Sequence, residues 1–251
     1  MVDPLASFEV HNIIPIHIGK LDLSITNSSL YMLLVVFLIC STCLLALRDK
    51  GLIPSKLRFC IERMYFFLTN LVKQQVGNNA SKLFPYIFSL FLFIMIGNMV
   101  GLIPYAFSFT TQLIVTMGMS LLVWISSIVV GLFVQGKNYF RHFCPSGLPV
   151  YITPFFALVE LMSFCFRPIS LGIRLFANMV SGHIMIKVMA SFAVSLAGII
   201  VFSPLAILPV LVNVFLNVFK LVVCLLQAYV FSVLSCIYLS ESMKNVSNSE
   251  V

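Results

Sequence analysis

Glu160, Arg167, Arg174 and Ser181 follow one another at intervals of seven through an otherwise apolar stretch. On an α-helix seven residues return the chain to within about 20° of its starting direction, so the four share one face, joined by Asn178 one turn beyond Arg174. The chemistry open to such a track is the handling of charge and protons. Carboxylates and hydroxyls pass protons, whereas a guanidinium stays cationic at any ordinary pH. Arg174 lies within Ser170-Leu-Gly-Ile-Arg-Leu-Phe-Ala-Asn178, and between Glu62 and Glu241 the only acidic residue is Glu160, fourteen positions upstream. A guanidinium at the centre of a bilayer costs from about 2.5 to more than 10 kcal/mol, depending on how water and lipid adapt. With no carboxylate of this chain well placed to cancel it, the counter-charge of Arg174 is expected from another subunit, or to come and go.

A second stripe follows, in which Asn213, Asn217, Lys220, Cys224 and Gln227 step by four, three, four and three. Two polar stripes facing each other, or facing a partner, would hold water along a path through the membrane. His183, nine residues past Arg174, points about half a turn away from it. Its imidazole ordinarily titrates near neutrality and suits proton exchange at the entrance to such a path.

The elements that must carry these side chains are membrane helices. Apolar types make up 61% of the 251 residues and charged types only 9%. About 20 residues cross a hydrocarbon layer, which leaves room for four to six spans and little else. The expected fold is therefore an all-α integral membrane protein, a single membrane domain over residues 1–251. Residues 30–47 read as the first span, 84–104 as the second and 112–135 as the third. Residues 52–82 interleave Lys56, Arg58, Glu62, Arg63 and Lys73 with apolar residues at three-to-four spacing, the pattern of an amphipathic helix on the membrane surface. Residues 149–239 form a long helical hairpin, broken near Ser203-Pro204 and Pro209. Its first limb is twice as long as the membrane is thick, so it must tilt steeply or break, with Pro168 as a place for a kink.

The net charge of +7 is not a nucleic-acid signal, because the basic residues gather in two short connections. Residues 48–82 carry seven basic residues against two acids, and the N-terminal tail one against three. That asymmetry places the tail 1–29 outside and the first connection inside, with the connection bearing Lys137, Arg141 and His142 on the same side and an inner tail over 240–251. The seven cysteines share no metal-ligand spacing and read as small apolar fillers. Residues 1–27 lack the basic-then-apolar order of a secretory signal.

With these residues set out, the chain resembles a known family, subunit a of the rotary F-type ATP synthases. The resemblance rests on the block from Glu160 to His183, on Leu226-Gln227-Ala-Tyr229-Val-Phe231, on Ile96-Gly-Asn98-Met-Val-Gly-Leu-Ile-Pro104-Tyr105 and on Ile25-Thr-Asn-Ser-Ser29. These cover nearly the whole chain in the family's order. The placement of His183 is similar to the mitochondrial and alphaproteobacterial versions.

The resemblance implies a proton-conducting stator subunit with two offset half-channels, and a role for each matching position. Arg174 would be the essential cation facing the ring of c subunits, each bearing one membrane carboxylate. Glu160 would belong to the inner half-channel and His183 to the outer, with Asn178 and Gln227 supporting the arginine. Arg167 and Asn98 are weaker candidates. The partners implied are the c-ring, the peripheral stalk, other Fo subunits and the lipid membrane, with no nucleic acid, no cofactor and no metal. ATP chemistry would reside in other subunits. The membrane would be a mitochondrial inner membrane or an alphaproteobacterial plasma membrane, with the high Phe content leaning toward the organelle.

Two positions depart from the family pattern. Lys220 stands where mitochondrial members usually carry a glutamate, which leaves it to relay protons, to pair with a carboxylate from elsewhere or to snorkel. Gln112 stands where many members have histidine. Two other classes of function compete. A self-contained transporter would show internal repeats, and none is found. A purely structural scaffold would leave Arg174 and Glu160 without purpose.

Overall fold

The computed structural model describes residues 11–15, 17–18, 21–22, 24–48, 55–77, 80–103, 106–136, 153–198 and 207–243. Six α-helices dominate it: α1 (Asn27–Arg48), α2 (Lys56–Val76), α3 (Ala80–Gly101), α4 (Leu113–Gln135), α5 (Thr153–Ala197) and α6 (Ile207–Met243). Five of these are long and apolar enough to cross a membrane, and α2 is the amphipathic exception. The expected all-α membrane architecture is thus present, with one addition. Ahead of α1 lie four short strands, β1 (Asn12–Ile14), β2 (His17–Ile18), β3 (Leu21–Asp22) and β4 (Ile25–Thr26). Antiparallel pairs β1–β4 and β2–β3 nest one within the other in the tail.

Local sequence explains where the helices start and stop. Thr26 and Ser29 cap α1 reciprocally: Ser29 N–H donates to Thr26 Oγ1 at 3.4 Å and Thr26 N–H to Ser29 Oγ at 3.1 Å. Ser55 Oγ accepts from Arg58 N–H at the start of α2. α2 and α4 both end at a glycine of positive φ, Gly77 (72°) and Gly136 (57°), conformations that a side chain would strain. Within the apolar helices, hydroxyls return to their own backbone, as Thr42 to Leu38 O at 2.9 Å and Ser126 to Leu122 O at 2.7 Å. No lipid-facing hydroxyl group can be left to water, so this local closure is what makes serine and threonine tolerable there.

Packing follows the polarity pattern. α2 buries Leu68, Leu71 and Val72 against α3 and α6. Leu68 joins a core with Leu90, Phe91 and Ile94 of α3, Val123 of α4, Leu171 and Leu175 of α5 and Ala228 and Phe231 of α6, whereas Leu71 and Val72 join a second with Leu83 and Ile87 of α3 and Cys236 and Leu239 of α6. The outward faces are equally apolar, with Leu33, Phe37, Ile114 and Phe133 exposed, as expected of helices whose solvent is hydrocarbon.

α5 is one uninterrupted helix of 45 residues, with Pro168 inside it. At 1.5 Å per residue it measures roughly 68 Å, and α6 roughly 55 Å, against a hydrocarbon layer of about 30 Å. Of the two outcomes expected for the first limb, a break does not occur between Thr153 and Ala197. α6 begins ahead of Pro209, which sits in its first turn, where a missing N–H harms nothing. It also runs on to Met243, so residues 240–243, expected in the inner tail, belong to the hairpin. The connection with Lys137, Arg141 and His142, the break at Ser203-Pro204 and the tail from 244 lie outside the described residues.

Candidate functional site

α5 and α6 pack antiparallel, and the two polar stripes meet. Asn178 Nδ2 donates to Gln227 Oε1 at 2.7 Å, directly linking the limbs. Further along, Cys224 Sγ lies 4.0 Å from Met179 Sδ. Gly182 then faces the stem of Lys220, so close that a Cβ there would stand 3.0 Å from the lysine Cε. Gln227 is buried, and its Nε2 has no hydrogen-bond partner among the described residues.

Arg174 stands one turn before Asn178 on α5, and its side chain is exposed. Among the described residues no carboxylate lies within 4.0 Å of its guanidinium; the ion pairs formed there are Arg58–Glu62, Arg167–Glu160 and Arg167–Glu241. The neighbouring backbone is tightly held: Leu171 and Leu175 are buried, and Gly172 lets α4 approach closely.

Arg167 has partners. It is ion-paired and hydrogen-bonded to Glu241 of α6, and its Nη2 lies 4.0 Å from Glu160 Oε1. Glu241 was not among the residues singled out from the sequence. A signal for it exists, since Lys220, Gln227, Leu234 and Glu241 continue one sevenfold spacing down α6. The polar stripe is interrupted at apolar Leu234, and Glu241 lies beyond the helix end expected at residue 239.

Lys220 is 6% exposed, so its ammonium does not snorkel out to water. Snorkelling needs a free path along the surface, and here the stem is held in the groove that Gly182 leaves open. Among the described residues no carboxylate lies within 4.0 Å of its ammonium. His183 is half-buried on the same stretch. Asn98 on α3 is fully buried, and neither polar atom of its amide has a partner among the described residues. An unsatisfied buried amide costs about 1–3 kcal/mol, so Asn98 is no ordinary core filler. Among the described residues no group of three or more His, Cys, Asp or Glu side chains is placed to hold a metal ion.

The hairpin thus sets out three zones along its length: Glu160, Arg167 and Glu241 at one end, exposed Arg174 beside the Asn178–Gln227 bridge in the middle, and His183 with Lys220 beyond. Comparison with known proteins agrees with the resemblance found in the sequence. ATP synthase subunit a of Afipia carboxidovorans is 42% identical over 245 residues, which span 97% of this chain and 98% of that one. The subunit a of Rhodopseudomonas palustris matches to the same degree and extent, and that of Brucella canis is 42% identical over 242 residues, 96% of this chain and 97% of its own. The family model described as ATP synthase A chain matches residues 29–240. Taken with the two long facing helices and their zones, these matches place the chain in the ATP synthase A chain family.

Proposed function

We propose that this chain is the proton-conducting stator subunit of a rotary F-type ATP synthase, and that Arg174 is its fixed cation, facing a ring of c subunits. The observation that carries the reading is the exposed guanidinium in the middle of a membrane hairpin, with no carboxylate within 4.0 Å among the described residues. At about 4 Å and an effective dielectric near 20, a carboxylate gains roughly 4 kcal/mol from such a cation. That is about three pKa units in favour of losing a proton. A ring carboxylate that arrives protonated gives up its proton as it nears Arg174, and takes another after it has passed. Protons therefore cannot slip straight across, and each must ride round the ring.

The two ends of the hairpin supply the entry and exit. Glu160 is the inner-side relay, at the end where α2 and the C-terminal turn of α6 converge, and His183 serves the outer side. The Asn178–Gln227 bridge holds the limbs at a fixed separation next to Arg174. The excess of basic residues in 48–82 supports this sidedness. Lys220, buried over Gly182, lines the outer zone where the resemblance leads one to expect a glutamate. Asn98 is a water-holding position beside the path. The protein is a multi-pass membrane protein, and since the relatives compared are bacterial, we place it in a bacterial plasma membrane rather than a mitochondrial inner membrane. ATP chemistry belongs to other subunits of the complex.

Glu160→Gln tests the inner relay. The variant is expected to assemble and to slow ATP-driven proton pumping by about tenfold, less than the 10²–10⁴ typical of a lost acid–base group, because adjacent water also relays protons. Acidification of inverted membrane vesicles reads the rate. Pumping at the wild-type rate would remove Glu160 from the path.

A further inference from the structure

The last turn of α6 is tied down by three different helices within three residues. Ser240 Oγ donates to Gln75 O near the end of α2 at 2.7 Å, Glu241 pairs with Arg167 of α5, and Gln135 Nε2 near the end of α4 donates to Ser242 O at 2.9 Å. Arg167 is the centre of this knot. Its guanidinium carbon lies 5.4 Å from the ring centroid of Tyr238 and 5.9 Å from that of Phe164, so aromatic faces from both limbs flank it. Only 24% of its side chain is exposed, against 35% for Glu241 and 39% for Glu160. The cation is thus more enclosed than either acid, and both of its carboxylates lie toward the open side.

We propose that the Arg167–Glu241 pair is a latch that closes this end of the hairpin, and that Arg167 acts as a positioning residue for Glu160. The planar fork of a guanidinium holds the Glu241 carboxylate in a fixed direction, which an ammonium does not, while Glu160 at 4.0 Å is drawn in by charge. Bound to Glu241, it fixes α5 against α6 about two turns from Arg174, and its remaining edge sets where the Glu160 carboxylate sits. Opening the latch would let the limbs part at the point where protons leave the chain, and would leave Glu160 without a fixed place. The latch rests on the stator reading, because it assigns a task only if Glu160 serves a proton path.

The test uses the whole ATP synthase in membrane vesicles, with proton-driven ATP synthesis and assembly on native gels as readouts. Four variants are compared with wild type: R167Q, E241Q, the double R167Q/E241Q, and the charge swap R167E/E241R. The swap keeps the summed charge of the cluster and restores an opposite-charge pair. Each single variant is expected to run about three- to tenfold slower, the double to be no slower than the worse single, and the swap to assemble like wild type and run faster than either single, short of wild type because a carboxylate at position 167 no longer holds Glu160, as coupled residues behave in a mutant cycle. Should a neutral variant fail to assemble, recovery of assembly by the swap supports the latch, and failure to recover counts against it. Wild-type synthesis in assembled E241Q, losses in the double equal to the product of the singles, or a swap no better than either single would each overturn it. Arg174→Ala in the same vesicles separates the two claims. Lost synthesis there together with unaffected E241Q sinks the latch alone, whereas intact synthesis in Arg174→Ala sinks the stator reading.

Discussion

Membranes carrying Arg174→Ala are expected to lose proton-driven ATP synthesis, by at least about a thousandfold, while the complex remains assembled. The magnitude follows from the roughly 4 kcal/mol by which the guanidinium favours an ionised carboxylate beside it, each 1.4 kcal/mol being a factor of ten. Without the cation a ring carboxylate keeps its proton through the contact zone, and the barrier between half-channels disappears. Assembly should survive because the side chain is exposed and makes no ion pair among the described residues, so truncation opens no cavity and strands no buried acid. Synthesis assays and native gels on the same membranes check both halves of the statement. Intact coupling in the variant would favour a purely structural role.

Gly172→Leu should act almost as strongly without touching a charge. A Cβ at residue 172 would meet Met117 Sδ at 2.7 Å, Ser120 Oγ at 2.8 Å and Met117 Cα at 3.2 Å. The sulfur and the hydroxyl can turn aside, but the Cα belongs to the backbone of α4, and a leucine adds three further carbons. α4 and α5 must then separate, at an overpacking cost of about 1–3 kcal/mol. The displaced backbone carries Arg174 only two residues later, and a shift of about 1 Å at a reacting group can lower a rate by about a hundredfold. We expect less assembled complex on native gels, and synthesis near 1% of wild type, by the same estimate, in what does assemble. Gly118→Leu is the control, since nothing lies within 4 Å of a Cβ there, and it should leave both readouts unchanged. Equal behaviour of the two variants would remove the close approach of α4 as a determinant of the position of Arg174.

Much of this arrangement was legible in the residues themselves. The cores of α1, α3 and α4 follow from runs of apolar residues, because a lipid solvent allows no polar interruption of a span. The two stripes of the hairpin follow from helical spacing, which leaves open whether they face each other or a partner, and the Asn178–Gln227 bond shows where they meet. The end of α6 was not legible by the same rule. Ser240, Glu241 and Ser242 look like a polar tail, but each finds a partner on a different helix, and that pairing prolongs the helix. Lys220 shows the same limit. Its charge is visible in the sequence, whereas the groove that buries it is created by Gly182 on the opposite limb. The nested strands of the tail are two or three residues each, too short to leave a periodicity.

The most direct measurement is a high-resolution map of the assembled membrane complex, read for the distance between the Arg174 guanidinium and the nearest carboxylate of any chain. We expect a ring-subunit carboxylate to come within about 4–6 Å, the range in which an opposite charge governs ionisation. A fixed acid of the same chain bound to Arg174, or a guanidinium turned into lipid with no ring beside it, would contradict the assignment.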